Sequence, residues 1–346
     1  MADVALDLAL AKSFWTQAIL DGSATARGVA LNAFVVDPPD KRHEGMKNGE
    51  YDAAEKGYSG SLRDRALGQG YPQRSLPVWL NRGLRHKNIV TRKGSRIKTL
   101  GDLKGGRVGS VHYAATTNIW ARQVLSDYGV SPRDATWVVT QHDDVSRSAN
   151  VPIEVADTGG SHSIGALWPL LARGELDAVI SPGFNWFYAT FHTFAQGMAD
   201  PDEKPAPGAE RRVRGAAVPA ELQGQIDSLV TDPEVCLEYV RRTKIYPLIH
   251  SVTIKEDVIE KHPWLAESLV EMFREARRLA PSYMTENDRR LMDREREGVG
   301  FDPYEQRWGE SQERSTLALV RALVDQGFIW GEIEPDDFMV AGYREL

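Results

Sequence analysis

Residues 105–129 read GGRVGSVHYAATTNIWARQVLSDYG, a stretch that combines a short apolar strand with an amphipathic helix. The strand is predicted over 107–111. The apolar face of the helix consists of residues at a spacing of four, which are Trp120, Val124 and Tyr128. Thr116 and Thr117 fall at the helix start, where unsatisfied backbone N–H groups and a partial positive charge attract anions. The pattern is typical of an anion-binding turn, and equally of an ordinary strand-to-helix turn in an α/β core.

Short strands and helices alternate along the rest of the chain. A helix predicted over 163–172 ends at Gly174 and leads into a buried strand over 176–180. A later helix over 263–280 begins with Pro263, which suits a first helical turn. This alternation predicts an α/β fold with a parallel sheet and crossover helices, in which ligands bind beyond the carboxyl ends of the strands.

Composition excludes several classes of function. The chain of 346 residues is long enough for two lobes, and its net charge of −7 provides no broad basic surface for nucleic acid. The single cysteine, Cys236, cannot form an intramolecular disulfide. No apolar run approaches the roughly 20 residues that span a bilayer, so we expect no membrane insertion. Asp3 and Asp7 interrupt the N-terminus, which does not resemble a signal peptide, and we expect a cytoplasmic protein.

Motifs for nucleotides and metals are absent from the sequence. Neither GxGxxG nor GxxxxGK(S/T) occurs, so we expect no nucleotide cofactor. The eight histidines form no HxxxH or HxH arrangement beside carboxylates, and the polar cluster at 142–144 falls in a predicted loop. We therefore expect neither a cofactor nor a metal ion.

Seven sequence blocks occur in an order and at a spacing that resemble one family. The blocks are 49–52 (GEYD), 84–86 (LRH), 102–109 (DLKGGRVG), 128–130 (YGV), 173–178 (RGELDA), 245–250 (IYPLIH) and 261–266 (KHPWLA). Together they resemble 4,5-dihydroxyphthalate decarboxylase and its relatives. The blocks at 102–109 and 173–178 are shared with many solute-binding proteins, whereas the Arg-His pair and the blocks at 245–250 and 261–266 are more specific.

The resemblance implies the two-lobed α/β fold of type II periplasmic binding proteins, with a ligand cleft between the lobes. One lobe would hold residues 1–105 and, after the chain returns, residues 248–346 with the C-terminal helices. The other lobe would hold residues 106–247. The cleft would receive side chains from both lobes, namely Ser59, Arg85, His86, Thr116, Thr117, Ser181 and His250.

The resemblance also implies cofactor-independent decarboxylation of a hydroxylated aromatic carboxylic acid. Such an enzyme must hold carboxylates and deliver a proton to the ring carbon. The planar guanidinium of Arg85 suits the first task, together with the helix start at Thr116 and Thr117. His250 and His86 suit the proton transfers, because the reference pKa of histidine is about 6.5.

Each candidate residue also has a purely structural interpretation. Arg85 could form a surface ion pair, and His250 could be a satisfied core histidine in an otherwise apolar strand. His112 is a further binding candidate, and Ser59 and Ser181 are implied only by the resemblance. The predicted partner is a small-molecule carboxylate, and the sequence leaves homo-oligomers open.

One stretch departs from the family pattern. Residues 12–17 read KSFWTQ, where family members carry an Asp- and Arg-rich stretch before the first Asp-Gly turn. If that stretch binds substrate, the substrate here differs from the catechol diacid. Because the same fold serves solute-binding proteins, the second hypothesis is a receptor for an organic anion, working with a transporter or as a cytoplasmic sensor.

Overall fold

Two β-sheets organise the protein. The computed structural model describes residues 4–37, 39–143, 150–181, 218–222 and 224–346. The strands in chain order are β1 (Val4–Leu10), β2 (Val29–Val35), β3 (Ala53–Gly57), β4 (Gln73–Arg82), β5 (Ile89–Arg92), β6 (Arg107–Ser110), β7 (Thr136–Val139), β8 (Ile153–Val155), β9 (Ala178–Ile180), β10 (Ile226–Ser228) and β11 (Leu248–Lys255). The first sheet has the strand order β2-β1-β3-β11-β4, and the second has the order β10-β5-β9-β6-β7-β8.

Helices connect the strands and form the C-terminal part of the chain. Within the described ranges they are α1 (Gln17–Leu20), α2 (Pro39–Lys47), α3 (Tyr58–Leu67), α4 (Thr116–Asp127), α5 (Trp168–Arg173), α6 (Pro233–Thr243), α7 (Glu256–Lys261), α8 (Leu265–Leu279), α9 (Glu286–Val299), α10 (Glu310–Asp325) and α11 (Pro335–Phe338). None of these helices is both long and apolar enough to cross a membrane.

Each sheet forms the centre of one lobe, and the chain crosses between the lobes twice. The first crossing runs through residues 83–88, because β4 belongs to the first sheet and β5 to the second. This crossing lies earlier in the chain than the predicted boundary at residue 105. The second crossing follows α6 and ends at β11, which returns to the first sheet.

Strand direction follows from these crossings. β1 pairs in parallel with β2 and β3, and β6 pairs in parallel with β7 and β9. β11 runs antiparallel between β3 and β4, since it enters the first sheet from the other lobe. The predicted two-lobed α/β fold is therefore confirmed.

The stretch 105–129 forms β6 and α4, which start the parallel part of the second sheet. Gly109 in β6 packs closely against its neighbours, because a Cβ there would lie 2.7 Å from Cδ1 of Leu176, which would have to shift. Helix α4 buries Trp120 and Val124 in the core, as its apolar spacing predicts. The third residue of that spacing, Tyr128, follows the helix and is exposed. The loop between β6 and α4 is thereby held at the carboxyl end of a central strand, facing the first lobe.

Candidate functional site

A pocket of about 480 Å³ lies between the two lobes. Its floor and sides come from α2, the start of α3 and the beginning of β11 in the first lobe, and from the loop before α4 in the second. The charged and hydroxylated side chains that line it include Asp40, His43, Ser59, Arg63, His112, Thr116, Thr117 and His250. The pocket is therefore polar and has titratable groups on both lobes.

His250 is held by a buried carboxylate on the neighbouring strand. It lies opposite Gly57 of β3, and its Nδ1 is 2.6 Å from Oε1 of Glu55. The other carboxylate oxygen of Glu55 accepts the backbone N–H of Ala11 at 2.9 Å. An ionised carboxylate can only accept a hydrogen bond, so the ring carries a proton on Nδ1. Nε2 is the ring nitrogen that does not contact Glu55.

Arg42 keeps this carboxylate ionised. Its Nε donates to the backbone oxygen of Glu55 at 2.8 Å, and its Nη2 lies 3.6 Å from Oε1. Burial tends to raise the pKa of Glu55, but the charge of Arg42 and the hydrogen bond from His250 outweigh burial and lower the pKa to about 2. Glu55 therefore stabilises a positive charge on His250.

A second histidine of the pocket, His43 in α2, has a different partner. The backbone N–H of Gly57 donates to its Nε2 at 2.9 Å. The rings of His43 and His250 are 6.1 Å apart between centroids and inclined at 79°. One strand, β3, thus supplies both partners, a carboxylate for His250 and an N–H group for His43.

The N-terminal ends of α3 and α4 meet in the pocket from opposite lobes. The hydroxyl oxygens of Ser59 and Thr116 are 2.6 Å apart, and the Ser59 N–H donates to the Thr116 hydroxyl at 3.3 Å. Arg63, one turn further along α3, also lines the pocket. Two helix starts and a guanidinium make this end of the pocket attractive to an anion.

A contact between His112 and Asp40 joins the lobes at the same pocket. His112 Nε2 lies 3.5 Å from Oδ2 of Asp40, whose side chain is 69% exposed. The hydrogen bond with Asp40 outweighs burial and raises the pKa of His112. The same hydrogen bond lowers the pKa of Asp40. The pair is therefore an ion pair at pH values between the two pKa values.

Comparison with known proteins identifies the family. The 4,5-dihydroxyphthalate decarboxylase of Pseudomonas putida is 30% identical over 181 residues, which make up 51% of this chain and 70% of that protein. The chain belongs to the 4,5-dihydroxyphthalate decarboxylase family. The enzyme of the same name from Comamonas testosteroni is 25% identical over 287 residues, 81% of this chain and 77% of that protein. Residues 26–156 also match the family described as NMT1/THI5 like.

Solved structures confirm the fold of this decarboxylase family member. The periplasmic aliphatic sulphonate binding protein SsuA from Escherichia coli superimposes with a TM-score of 0.54 at 13% identity. The match covers 97% of this chain and 91% of that chain. At this identity the likeness establishes the two-lobed fold alone.

Five of the residues predicted from sequence for this family member line the pocket. They are Ser59, His112, Thr116, Thr117 and His250. The structure brings them together because the starts of α3 and α4 and the beginning of β11 meet where the lobes face each other.

Three other predicted residues, Arg85, His86 and Ser181, are not among the side chains that line this pocket. Arg85 is buried in the first crossing, where its Nη1 donates to Asn88 Oδ1 at 3.1 Å. His86 is buried against the ring of Tyr239, and burial lowers its pKa to about 4. Ser181 is buried, and its N–H donates to the backbone oxygen of Asn88. Arg85 and His86 belong to the first crossing, whereas Ser181 directly follows β9.

The sequence-based prediction missed Asp40, His43 and Arg63, which line the pocket. It also missed the buried Arg42 and Glu55, which pair with each other beside His250. One signal could have indicated Glu55 and Lys56. They stand in a short strand, AAEKG, that is buried at every position, and charged residues in such a strand require partners. No comparable local signal marked His43, which belongs to a largely polar helix.

The described residues contain no group of three or more His, Cys, Asp or Glu side chains that could hold a metal ion. Cys236 is buried, and burial raises the pKa of its thiol. A thiol with a raised pKa is a poor nucleophile at neutral pH.

Proposed function

We propose that the protein decarboxylates a hydroxylated aromatic carboxylic acid, such as 4,5-dihydroxyphthalate or an analogue. The observation that carries this proposal is the His250–Glu55 pair, a histidine with a buried ionised partner, in a pocket where two helix starts meet. The names of its relatives supply the reaction class, and this pair supplies a group suited to the central step.

The substrate carboxylate would bind at the starts of α3 and α4. Backbone N–H groups at a helix start favour an anion, and Arg63 adds a cation at the same end of the pocket. The hydroxyls of Ser59 and Thr116 already contact each other across the lobes, so a carboxylate here would contact both lobes. A carboxylate held by both lobes is already oriented for reaction, so less entropy is lost in reaching the transition state.

His250 would deliver a proton to the ring carbon that carries the carboxylate. An ionised ring hydroxyl supplies the electron pair that forms the new carbon–hydrogen bond, and a dienone results. The bond to the carboxylate carbon then breaks, carbon dioxide leaves, and the electron pair restores the aromatic ring. The net reaction consumes one proton, which His250 regains from solvent, and Glu55 stabilises its imidazolium form.

Replacement of His250 tests this assignment. We expect His250→Asn to lower kcat for carbon dioxide release from 4,5-dihydroxyphthalate by about 10²-fold, since general acid catalysis contributes at least this much. Binding of the substrate should be largely retained, because the carboxylate site lies at the helix ends. Carbon dioxide release and equilibrium binding would be measured on the same preparations.

His262→Asn is the matched control for this experiment. His262 lies at the end of α7, outside the pocket, and its ring contacts Trp264. Its replacement should leave kcat unchanged. Full activity in His250→Asn would return His250 to a structural role, and no carbon dioxide from a broad panel of hydroxylated benzoates and phthalates would refute the proposed reaction.

A second candidate function is capture of an organic anion without chemistry. The fold is that of a sulphonate-binding protein, and the helix starts at Ser59 and Thr116 would hold a carboxylate or sulphonate equally well. Tight binding of an acid that mass spectrometry recovers unchanged would favour this function. In that case His250→Asn and wild type would differ in neither binding nor product.

A further inference from the structure

The ring of His43 has a defined tautomer. Gly57 donates its backbone N–H to Nε2 at 2.9 Å, and an N–H group can donate only to a ring nitrogen without a proton. The proton of the neutral ring is therefore on Nδ1. In the described part of the chain, the contact with Gly57 is the single hydrogen bond of this ring.

The surroundings of His43 oppose a positive charge on it. Burial contributes most, and the positive charges of His250, Arg42 and Lys56 add to burial, whereas Asp40 acts in the opposite direction. Together they lower the pKa of His43 to about 3. A protonated Nε2 would also face the N–H of Gly57, donor against donor. His43 is therefore neutral at any pH at which the protein is expected to work.

The two neighbouring histidines therefore differ in chemistry. His250 has a carboxylate at Nδ1, which stabilises the imidazolium form. His43 has an N–H donor at Nε2, which excludes that form. Environments that push two similar groups apart in this way mark different roles in catalysis.

We propose that His43 is a catalytic residue of the decarboxylation, donating a hydrogen bond from Nδ1 to the ionised ring hydroxyl of the substrate. This inference rests on the proposed function. When the carbon–carbon bond breaks, its electron pair returns to the ring and reaches that oxygen. A fixed neutral donor stabilises the negative charge that develops there without transferring its own proton. His43 thereby selects acids that carry a ring hydroxyl.

Two variants of His43 and two ligands test the proposal. His43→Leu removes the donor, and His43→Asn keeps an N–H donor on a shorter side chain. The ligands are 4,5-dihydroxyphthalate and phthalate, which share their carboxylates and differ in the hydroxyls. Wild type should bind the hydroxylated acid more tightly, and His43→Leu should reduce this preference about tenfold, because a hydrogen bond to a charged oxygen is lost. His43→Asn should restore part of it, and His262→Asn should leave it unchanged.

Kinetic measurements distinguish a catalytic role of His43 from a purely structural one. We expect His43→Leu to lower kcat about 10²-fold, the effect of removing one donor to a developing oxyanion. The inflections in its pH–rate profile should stay at the wild-type pH values, because His43 does not titrate in the working range. Loss of an inflection between about pH 5 and 8 would show that His43 acts as an acid or base, and would overturn the proposal.

The binding and kinetic measurements test this inference separately from the proposed function. If wild type releases no carbon dioxide, the proposed reaction fails, but the preference for the hydroxylated ligand and its loss in His43→Leu still test the donor role. If wild type is active and both His43 variants keep the wild-type preference and kcat, the donor role is wrong and the proposed reaction stands.

Discussion

Glu55 determines the charge distribution around the two histidines. It is almost fully buried, receives the N–H of Ala11, and contacts both Arg42 and His250. Its lowered pKa means that it carries a negative charge throughout the neutral range. The positive charge of Arg42 opposes a positive charge on His250, and the negative charge of Glu55 offsets this effect.

We expect Glu55→Gln to lower kcat by about 10²-fold, because a neutral amide can accept the Nδ1 proton but stabilises the imidazolium form of His250 poorly. The value of kcat comes from carbon dioxide release measured on both proteins.

Glu297→Gln serves as the matched control, because Glu297 is exposed on α9 far along the chain from the pocket. Its kcat should equal that of wild type. A Glu55→Gln protein with the wild-type kcat would show that His250 does not depend on this carboxylate.

At the level of secondary structure, a buried ion pair fixes α3 on β3. Lys56 Nζ is 2.6 Å from Oδ2 of Asp64, and both side chains are 3% exposed. The pair connects α3 to the strand before it, and the first turn of α3 carries Ser59 into the pocket. Glu55 directly precedes Lys56 in β3. This strand therefore positions both the start of α3 and the partner of His250.

Asp64→Asn should destabilise the protein by about 3–5 kcal/mol, since it leaves the Lys56 ammonium buried without its counter-charge. The free energy of unfolding would be measured by urea titration. Ligand affinity should fall as well in the fraction that remains folded, because α3 is held less firmly.

Asp293→Asn is the control for this change, because it removes an exposed ion pair with Arg296 on α9. We expect it to cost about 1 kcal/mol or less. Equal losses in Asp64→Asn and Asp293→Asn would mean that the Lys56–Asp64 pair contributes no more than a surface contact. The double change Lys56→Met with Asp64→Leu should recover most of the stability, because no charge is then left buried.

At the scale of the whole molecule, polar side chains of the two lobes meet at the pocket. Among the described residues, Ser59 contacts Thr116, and Asp40 contacts His112. Asp143 lies close enough to add to the negative potential at His112. Since the pocket lies between the lobes, any contact that favours the closed arrangement also favours a bound ligand.

The strength of the Asp40–His112 contact depends on pH. The folded pKa of His112 is raised, so its contribution is present at low pH and is lost as the pH rises through that pKa. The pKa of Asp40 is lowered, so its contribution is present above the ordinary aspartate range and is lost as the pH falls through the lowered pKa. The ion pair therefore acts in the window between these two pKa values.

We expect Asp40→Asn to weaken ligand binding about twofold to fivefold near pH 6, because an exposed ion pair contributes little more. The difference from wild type should shrink as the pH rises through the raised pKa of His112, because the ring then loses its charge. Calorimetric titration with one carboxylate at each pH gives the ratio of affinities. A ratio that stays constant with pH would show that the contact does not act through charge.

The sequence by itself determined the α/β class, the strand and helix of the stretch 105–129, and the family. These follow from local patterns, since apolar spacing, helix stops and sequence blocks are properties of neighbouring residues. Part of the pocket could also be predicted, because Thr116 and Thr117 stand at a helix start wherever that helix lies.

Only the tertiary structure decided which groups act together. His250 meets Glu55 across 195 positions of the chain because β11 returns from the second lobe and pairs with β3. The same return brings His250 beside His43, and it leaves Arg85 and His86 buried in a crossing segment. Sequence identifies the kinds of side chain available, but burial and partner, which set the charge of each one, arise from contacts between distant segments.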